Sequence, residues 1–402
     1  MPNSNFFGLG IAPGLLEILQ RLKFVTPTPI QAKAIPTCIE GKDLIGVAQT
    51  GTGKTLAFGI PMIQRLAALK GKGLVLAPTR ELALQIDDAL RPFVSSSGIR
   101  TAVLIGGASM HLQVQAIRRQ ARILIATPGR LNDHLEQRTV NLADVKIFVL
   151  DEADRMLDMG FAPQIARIAR HIPADRQTML FSATMPGSIV NLARSYMKLP
   201  VQVEVAPSGT AAEKVTQEVF FIRKEDKPKL LGTMLEQYRG TVLIFSRTKR
   251  GASRITRGLR GMNYNAAEIH SDRSLSQRRE ALDGFKSGKY RILVATDIAA
   301  RGIDVTGIEL VVNYDLPDDA ENYVHRIGRT GRAGQEGHAV TFATPEQSSD
   351  VRNIEKLMRT ALPVAKHPEL SIEVMRPQAK PDTSHWRQRG MSSYGARHRR
   401  RR

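Results

Sequence analysis

Short β-rich apolar runs recur along the chain, each closing on a polar or glycine-rich turn, with helix-like stretches between them. In the first half the runs are 44–47, 74–76, 102–105, 123–125, 147–150 and 179–181. In the second they are 242–245, 266–269, 292–294, 310–312 and 339–342. Intervening stretches such as 81–93 and 275–285 carry helical periodicity. Such alternation predicts parallel sheets covered by helices on both faces. The pattern breaks once, at the small polar residues 206–212, which read as a linker. The expectation is an α/β protein of two domains, 1–206 and 213–365, joined by 207–212. The strand signal ends after Pro363. Residues 366–402 form a basic tail, rich in Pro, Ser, Gly and Arg from about Pro377 on, and expected to be disordered.

Charge narrows the partners. The net charge is +20 and the pI about 10.3, with +8 of that between Arg376 and Arg402. This balance points to a polyanion. The single cysteine, Cys38, excludes an intramolecular disulfide and a cysteine metal cluster, and is expected to fill core. No apolar run approaches the roughly 20 residues of a membrane span. The first ten residues have no cationic start, so no signal peptide is expected and the reading is cytoplasmic.

Two blocks carry chemistry. Ala48-Gln49-Thr50-Gly51-Thr52-Gly53-Lys54-Thr55 follows the run 44–47 and opens a helix. Its glycines let backbone N–H groups turn inward around phosphates, Lys54 reaches the β- and γ-phosphates, and the Thr55 hydroxyl is a Mg²⁺ ligand. The usual first glycine is Ala48. Asp151-Glu152-Ala153-Asp154 follows the apolar run 147–150. Asp151 closes a buried strand, where a carboxylate needs a partner, and Mg²⁺ supplies one through bound water. Glu152 is placed to orient and deprotonate an attacking water. An acidic helix N-terminus favoured by the helix dipole is the plainer account of the four residues taken alone. Together the blocks indicate an ATPase.

Asp151-Glu152-Ala153-Asp154 with this phosphate loop resembles the DEAD-box ATP-dependent RNA helicases, and the resemblance runs in order from about Phe6 to Ala343. It implies two tandem RecA-like P-loop domains. Phe24-Val25-Thr26-Pro27-Thr28-Pro29-Ile30-Gln31 resembles the adenine-reading element. There Gln31 selects ATP over GTP, as a glutamine amide bonds adenine N6 and N7 at once, and Phe24 stacks on the base. Phe6 resembles the upstream aromatic that supports this pocket, and Lys23 stands where the family has glycine. Ser182-Ala183-Thr184 resembles the motif that couples the ATP site to domain closure, its hydroxyls bonding the acidic block at Asp154. In His325-Arg326-Ile327-Gly328-Arg329-Thr330-Gly331-Arg332 the resemblance makes Arg329 and Arg332 the arginine fingers on the γ-phosphate, with His325 in coupling. By the same resemblance Asp304 bonds the ribose, Gly302 lets the backbone approach the nucleotide, and Thr296 faces RNA.

Pro78-Thr79-Arg80, Gly106-Gly107 and Thr127-Pro128-Gly129-Arg130 each follow a predicted strand and resemble the family's RNA-backbone contacts. Arg247 and Arg278 resemble contacts in the second domain, where Leu275 occupies a position expected to hold glutamine. Aromatic residues are 5% of the chain and do not cluster at these loops, which argues against base-stacking platforms and for binding with little sequence specificity. The cofactors implied are ATP and Mg²⁺, and the partner is RNA. The expected activity is RNA-stimulated ATP hydrolysis coupled to local unwinding of short duplexes or RNA–protein remodelling. An ATP-gated RNA clamp and a DNA helicase on the same core are the alternatives. The compact core and basic tail resemble the bacterial RhlE-type subgroup. Ribosomal or RNA-decay assemblies are expected settings, and nothing demands an oligomer. The arginine-rich tail is expected to tether RNA, against the plainer reading of a solvated charge run.

Overall fold

The computed structural model describes residues 5–49, 51–205, 215–300, 305, 307–331 and 336–370, leaving out the side chains of residues 298 and 300. Two parallel sheets are built in turn along the chain. The first contains β1 (Leu44–Val47), β2 (Lys72–Leu76), β3 (Thr101–Leu104), β4 (Ile123–Ala126), β5 (Val145–Leu150), β6 (Gln177–Ser182) and β7 (Val201–Glu204), in the order β3-β4-β2-β5-β6-β1-β7. The second contains β8 (Val215–Phe221), β9 (Val242–Phe245), β10 (Ala266–Ile269), β11 (Ile292–Ala295), β12 (Leu310–Asn313) and β13 (Gly337–Ala343), in the order β10-β11-β9-β12-β13-β8. The alternation of short apolar runs with helices thus yields the two α/β units that it predicts. The interior strands are buried along nearly their whole length, as sheets covered on both faces require.

Two of the four edge strands, β7 and β8, escape the apolar-run criterion. In β7 only Val203 is buried, and in β8 the middle residues Thr216, Gln217 and Glu218 are polar. An edge strand packs one face or one neighbour, so its sequence need not be continuously apolar. Helix Arg80–Ser97 outruns the predicted 81–93 because Thr79 caps it, accepting a bond from Leu82 N at 3.2 Å, and Gly98 ends it in a left-handed turn at φ 68°. Cys38 is fully buried, and burial pushes its thiol up to about 12, so it is inert filler.

Strand order decides where the motifs meet. The phosphate loop follows β1, Asp151 follows β5 and Ser182 ends β6. These three strands are neighbours, with Val47 beside Ser182 and Leu150 beside Leu180. Loops after β3, β4 and β2 fall on the adjoining part of the same carboxyl edge. One edge is thereby divided into a nucleotide side and a second side carrying Arg80, Gly106-Gly107 and Gly129.

Candidate active site

Gly51 and Gly53 turn the phosphate loop through φ 84° and 90°, a conformation only glycine adopts at little cost. A Cβ on Gly53 would collide with the Gln31 amide. That closeness is structural: Gln31 Nε2 donates to Gly53 O at 3.1 Å, and Gln31 Oε1 accepts from Thr28 N at 2.9 Å. Each end of the amide retains a further hydrogen-bonding site, so a base can be read from the same side chain that braces the loop. Lys54 is buried at the start of helix Lys54–Ala68, its Nζ donating to Ala48 O at 2.9 Å. Thr55 is half-buried, Gln49 and Gly51 are exposed, and the Thr52 hydroxyl donates to Gln49 O at 2.7 Å. Phe24 is exposed, whereas Phe6 belongs to the first domain's core. Thr50 lies outside the described residues.

The acidic block is almost wholly buried. Burial pushes the Asp151 carboxyl up to about 7 against the pull of Lys54, with Glu152 adding to the rise. Among the described residues its one hydrogen bond is from Glu152 N, 3.0 Å. Asp151 therefore lacks a full counter-charge, and with the Thr55 hydroxyl it offers a hard oxygen donor set. No three His, Cys, Asp or Glu converge on a metal cage among the described residues. That fits Mg²⁺, which is usually held by one or two protein oxygens plus substrate phosphates. Glu152 takes a left-handed backbone (φ 52°), rare for a residue with a Cβ, and its Oε2 accepts from Arg155 Nη1 at 3.0 Å in a buried ion pair.

Asp154 Oδ2 accepts from Ala183 N at 2.9 Å, Thr184 N at 3.0 Å and the Thr184 hydroxyl at 3.2 Å. The expected link from β6 to the acidic block is present through Thr184. Ser182 plays another part, donating to Thr184 O at 2.7 Å and so shaping the turn that points Thr184 at Asp154.

From the second sheet, helix Ala320–Ile327 brings His325 against this cluster. Burial pushes its imidazole down to about 4, helped by the Arg155 guanidinium and by Arg329, and opposed by Asp154 and Glu152. Arg329 is buried just beyond the helix, its N–H bonded to Arg326 O at 3.1 Å. Arg326 anchors the segment. Its fork holds Asp297 at 2.5 and 2.6 Å, and its Nη1 donates to Asp315 O at 2.6 Å and Asn313 Oδ1 at 3.2 Å. Arg332, Gly302 and Asp304 lie outside the described residues.

On the neighbouring edge, Arg80 lies over Gly106-Gly107, where a Cβ on Gly107 would overlap its guanidinium. Among the described residues Arg80 makes no ion pair, which leaves its charge for an anion. Pro78 and Thr79 enter its helix buried. Thr127, with Pro128 and Gly129, opens helix Pro128–Glu136, and space is open beside Gly129. Arg130 Nη1 donates to Ala108 O at 3.0 Å, joining two of these loops. In the second domain Asp315 accepts from Ser246 Oγ and Arg247 N, both at 3.1 Å, while Arg247 reaches Leu316 O at 3.1 Å. Thr296 is half-buried at the end of β11. Arg278 instead crosses the domain interface, its Nη2 donating to Glu81 Oε2 at 2.7 Å in a buried pair. Leu275, one turn earlier, packs on the first domain's core.

Sequence reading passed over Arg155, Arg326, Asp297, Asp315 and Glu81. Each works through a partner distant in the chain or hidden inside a recognised motif. The signal available was a charged residue within an otherwise buried stretch, as at Arg155 and Arg326.

Residues 28–192 match the family model "DEAD/DEAH box helicase", and residues 226–334 match "Helicase conserved C-terminal domain". The chain is 40% identical to the DEAD-box ATP-dependent RNA helicase CshA of Geobacillus kaustophilus, covering 91% of this chain and 79% of that protein. It is 41% identical to the ATP-dependent rRNA helicase RRP3 of Debaryomyces hansenii, covering 92% and 78%. Among solved structures, S. cerevisiae Dbp5 bound to RNA and ADP BeF3 superposes with a TM-score of 0.81 at 30% identity, over 90% of this chain and 95% of that one.

Proposed function

This chain belongs to the DEAD-box family of ATP-dependent RNA helicases, and we propose that its residues divide the reaction between the two domains as follows. Gln31 and Phe24 hold adenine, and the loop 48–55 holds the phosphates. Glu152 takes the proton of the attacking water, held in aim by Arg155. Arg329 and Arg332 neutralise the charge developing on the transferred phosphoryl group. Thr55 and Asp151 would hold Mg²⁺, which neutralises β- and γ-phosphate charge when bound. Asp304 and Gly302 take the ribose side.

The observation that carries this reading is the approach of His325, with Arg329 buried close behind it, to the charges of Glu152, Asp154 and Arg155 across the domain interface. Asp154 is bonded to Thr184 in its own domain and feels the second domain's His325, so it reports closure to the water-activating carboxylate. RNA lying on Arg80, Gly106-Gly107, Thr127 to Arg130, Arg247 and Thr296 bridges both domains and favours that closure. Hydrolysis and phosphate loss remove the bridging charge and let the domains part.

We place the chain in the bacterial RhlE-type subgroup, acting in the cytoplasm. A bacterial relative, and an arginine-rich stretch following the second domain, support the bacterial part of this reading. Ribosome assembly is the setting we propose, supported by the likeness to an rRNA helicase.

The test is ATP hydrolysis by the purified chain without nucleic acid, with RNA and with DNA, beside Glu152→Gln. Stimulation by RNA alone, lost in the variant, is expected. Equal stimulation by DNA would favour a DNA helicase, and tight RNA binding without turnover an RNA clamp.

A further inference from the structure

Helix Lys249–Gly261, which follows β9, carries Lys249, Arg250, Arg254, Arg257 and Arg260 and no acidic residue. Its buried residues are Ala252, Thr256 and Leu259. Burying that face turns Arg250, Arg254 and Arg257 outward at helical spacing, as one row of exposed guanidiniums. Like charges three or four apart oppose a helix by about 0.2–0.5 kcal/mol per pair. One carboxylate, Asp272, lies beside the row, and its charge acts on Arg250 as well as on Lys249. Lys249 pairs with Asp272 at 2.7 Å, but among the described residues Arg250, Arg254 and Arg257 form no ion pair. Lys249, Arg250, Ser253, Arg254, Arg257 and Asp272 line an open cleft of about 270 Å³.

The row is continuous with the site already described. Thr248 caps the helix, accepting from Gly251 N at 3.0 Å, directly after Ser246 and Arg247 at the carboxyl end of β9. From there the arginines run down the flank of the second domain, spanning about 10 Å from Arg250 to Arg257 at roughly 1.5 Å per residue. No large apolar side chain of this helix is exposed, so the face lacks the apolar anchors on which protein interfaces centre. Guanidinium forks in open water suit phosphate oxygens.

We propose that Arg250, Arg254 and Arg257 form a second RNA contact, which binds backbone phosphates of the segment leaving the core groove. The proposal rests on the RNA-helicase reading and extends it. The core loops hold a short stretch of strand, and the arginine row holds the flanking strand or duplex and keeps it beside the second domain. It adds affinity only for RNA long enough to reach it.

The experiment compares the full chain with R250Q/R254Q/R257Q. Glutamine keeps helix propensity and removes the charge. Affinity is measured across a salt series for a strand of about 8 nucleotides, within the range a single binding groove covers, and for one roughly four times longer. The long strand is expected to bind at least tenfold more weakly to the variant, with the slope of log K against log salt shallower by about 2. Affinity for the short strand, and turnover at saturating long RNA, should match the unaltered protein. Equal losses at both lengths would overturn the proposal by placing these arginines in the core groove. Undiminished long-strand affinity would also overturn it and leave the face to an acidic protein. Absence of RNA-stimulated turnover in the unaltered chain would instead sink the helicase reading, and is seen before any variant is compared.

Discussion

Glu152 sits in a left-handed backbone conformation that costs on the order of 1–3 kcal/mol, and its carboxylate is fixed by Arg155 in a buried ion pair. Strain and burial concentrated on one carboxylate suit a group that must be aimed rather than merely present. Glu152→Gln keeps shape and is expected to leave nucleotide binding intact while turnover falls by about 10²–10⁴. Arg155→Met removes the guanidinium that aims the buried Glu152 carboxylate, and a loss of stability should appear in thermal unfolding. His325 supplies a pH dependence. Its folded-state pKa, about 4, lies below the roughly 6.5 of a free imidazole. If opening returns the ring to water, the closed form binds this proton less well than the open one. Its contribution to closure is fully present above about pH 6.5 and lost as pH falls toward 4. Interdomain energy transfer should show the closed fraction dropping from pH 7 to 5, and His325→Gln should flatten that drop. A variant as pH-sensitive as the parent would remove His325 from the account.

At the scale of elements, helices Arg80–Ser97 and Leu275–Lys286 meet across the interface through Glu81–Arg278 and Leu275. Burial pushes the Glu81 carboxyl up more strongly than Arg278 pulls it down, and burial likewise lowers Arg278. The ion pair therefore sets register more than it stabilises, whereas the apolar Leu275 contact adds net stability. Leu275→Gln is expected to lower the closed population in the absence of RNA by about 1 kcal/mol, since the side chain is only half-buried. An unchanged population would show the contact to be idle. Gly107→Ala should displace Arg80 and weaken RNA binding without changing ATP affinity, as titrations of each ligand would show. The alternation of apolar runs was legible in the sequence because interior strands, covered on both faces, are apolar over most of their length. The edge strands β7 and β8 were not, since their polar residues answer to a single neighbour. The phosphate loop and acidic block were legible because their chemistry is local. Arg278 on Glu81, Arg326 on Asp297 and the packing of Leu275 were not, because the partners are 197, 29 and many residues away and only the fold brings them together.

At the scale of the molecule, two sheets place their carboxyl edges against each other, and neither edge holds a whole catalytic site. The charge of +20 adds a long-range pull toward RNA. Deleting residues 377–402 should weaken RNA binding and reduce its salt dependence while leaving basal hydrolysis intact, and equal affinity at low salt would rule out a tether. The measurement that bears most directly on a shared active site is turnover by Arg329→Ala, with nucleotide affinity measured in parallel. If the second domain completes the site, ATP binding persists and RNA-stimulated turnover falls by about 10³ or more. Turnover equal to that of the unaltered protein would mean that the first domain hydrolyses ATP alone, contrary to the mechanism derived from this interface.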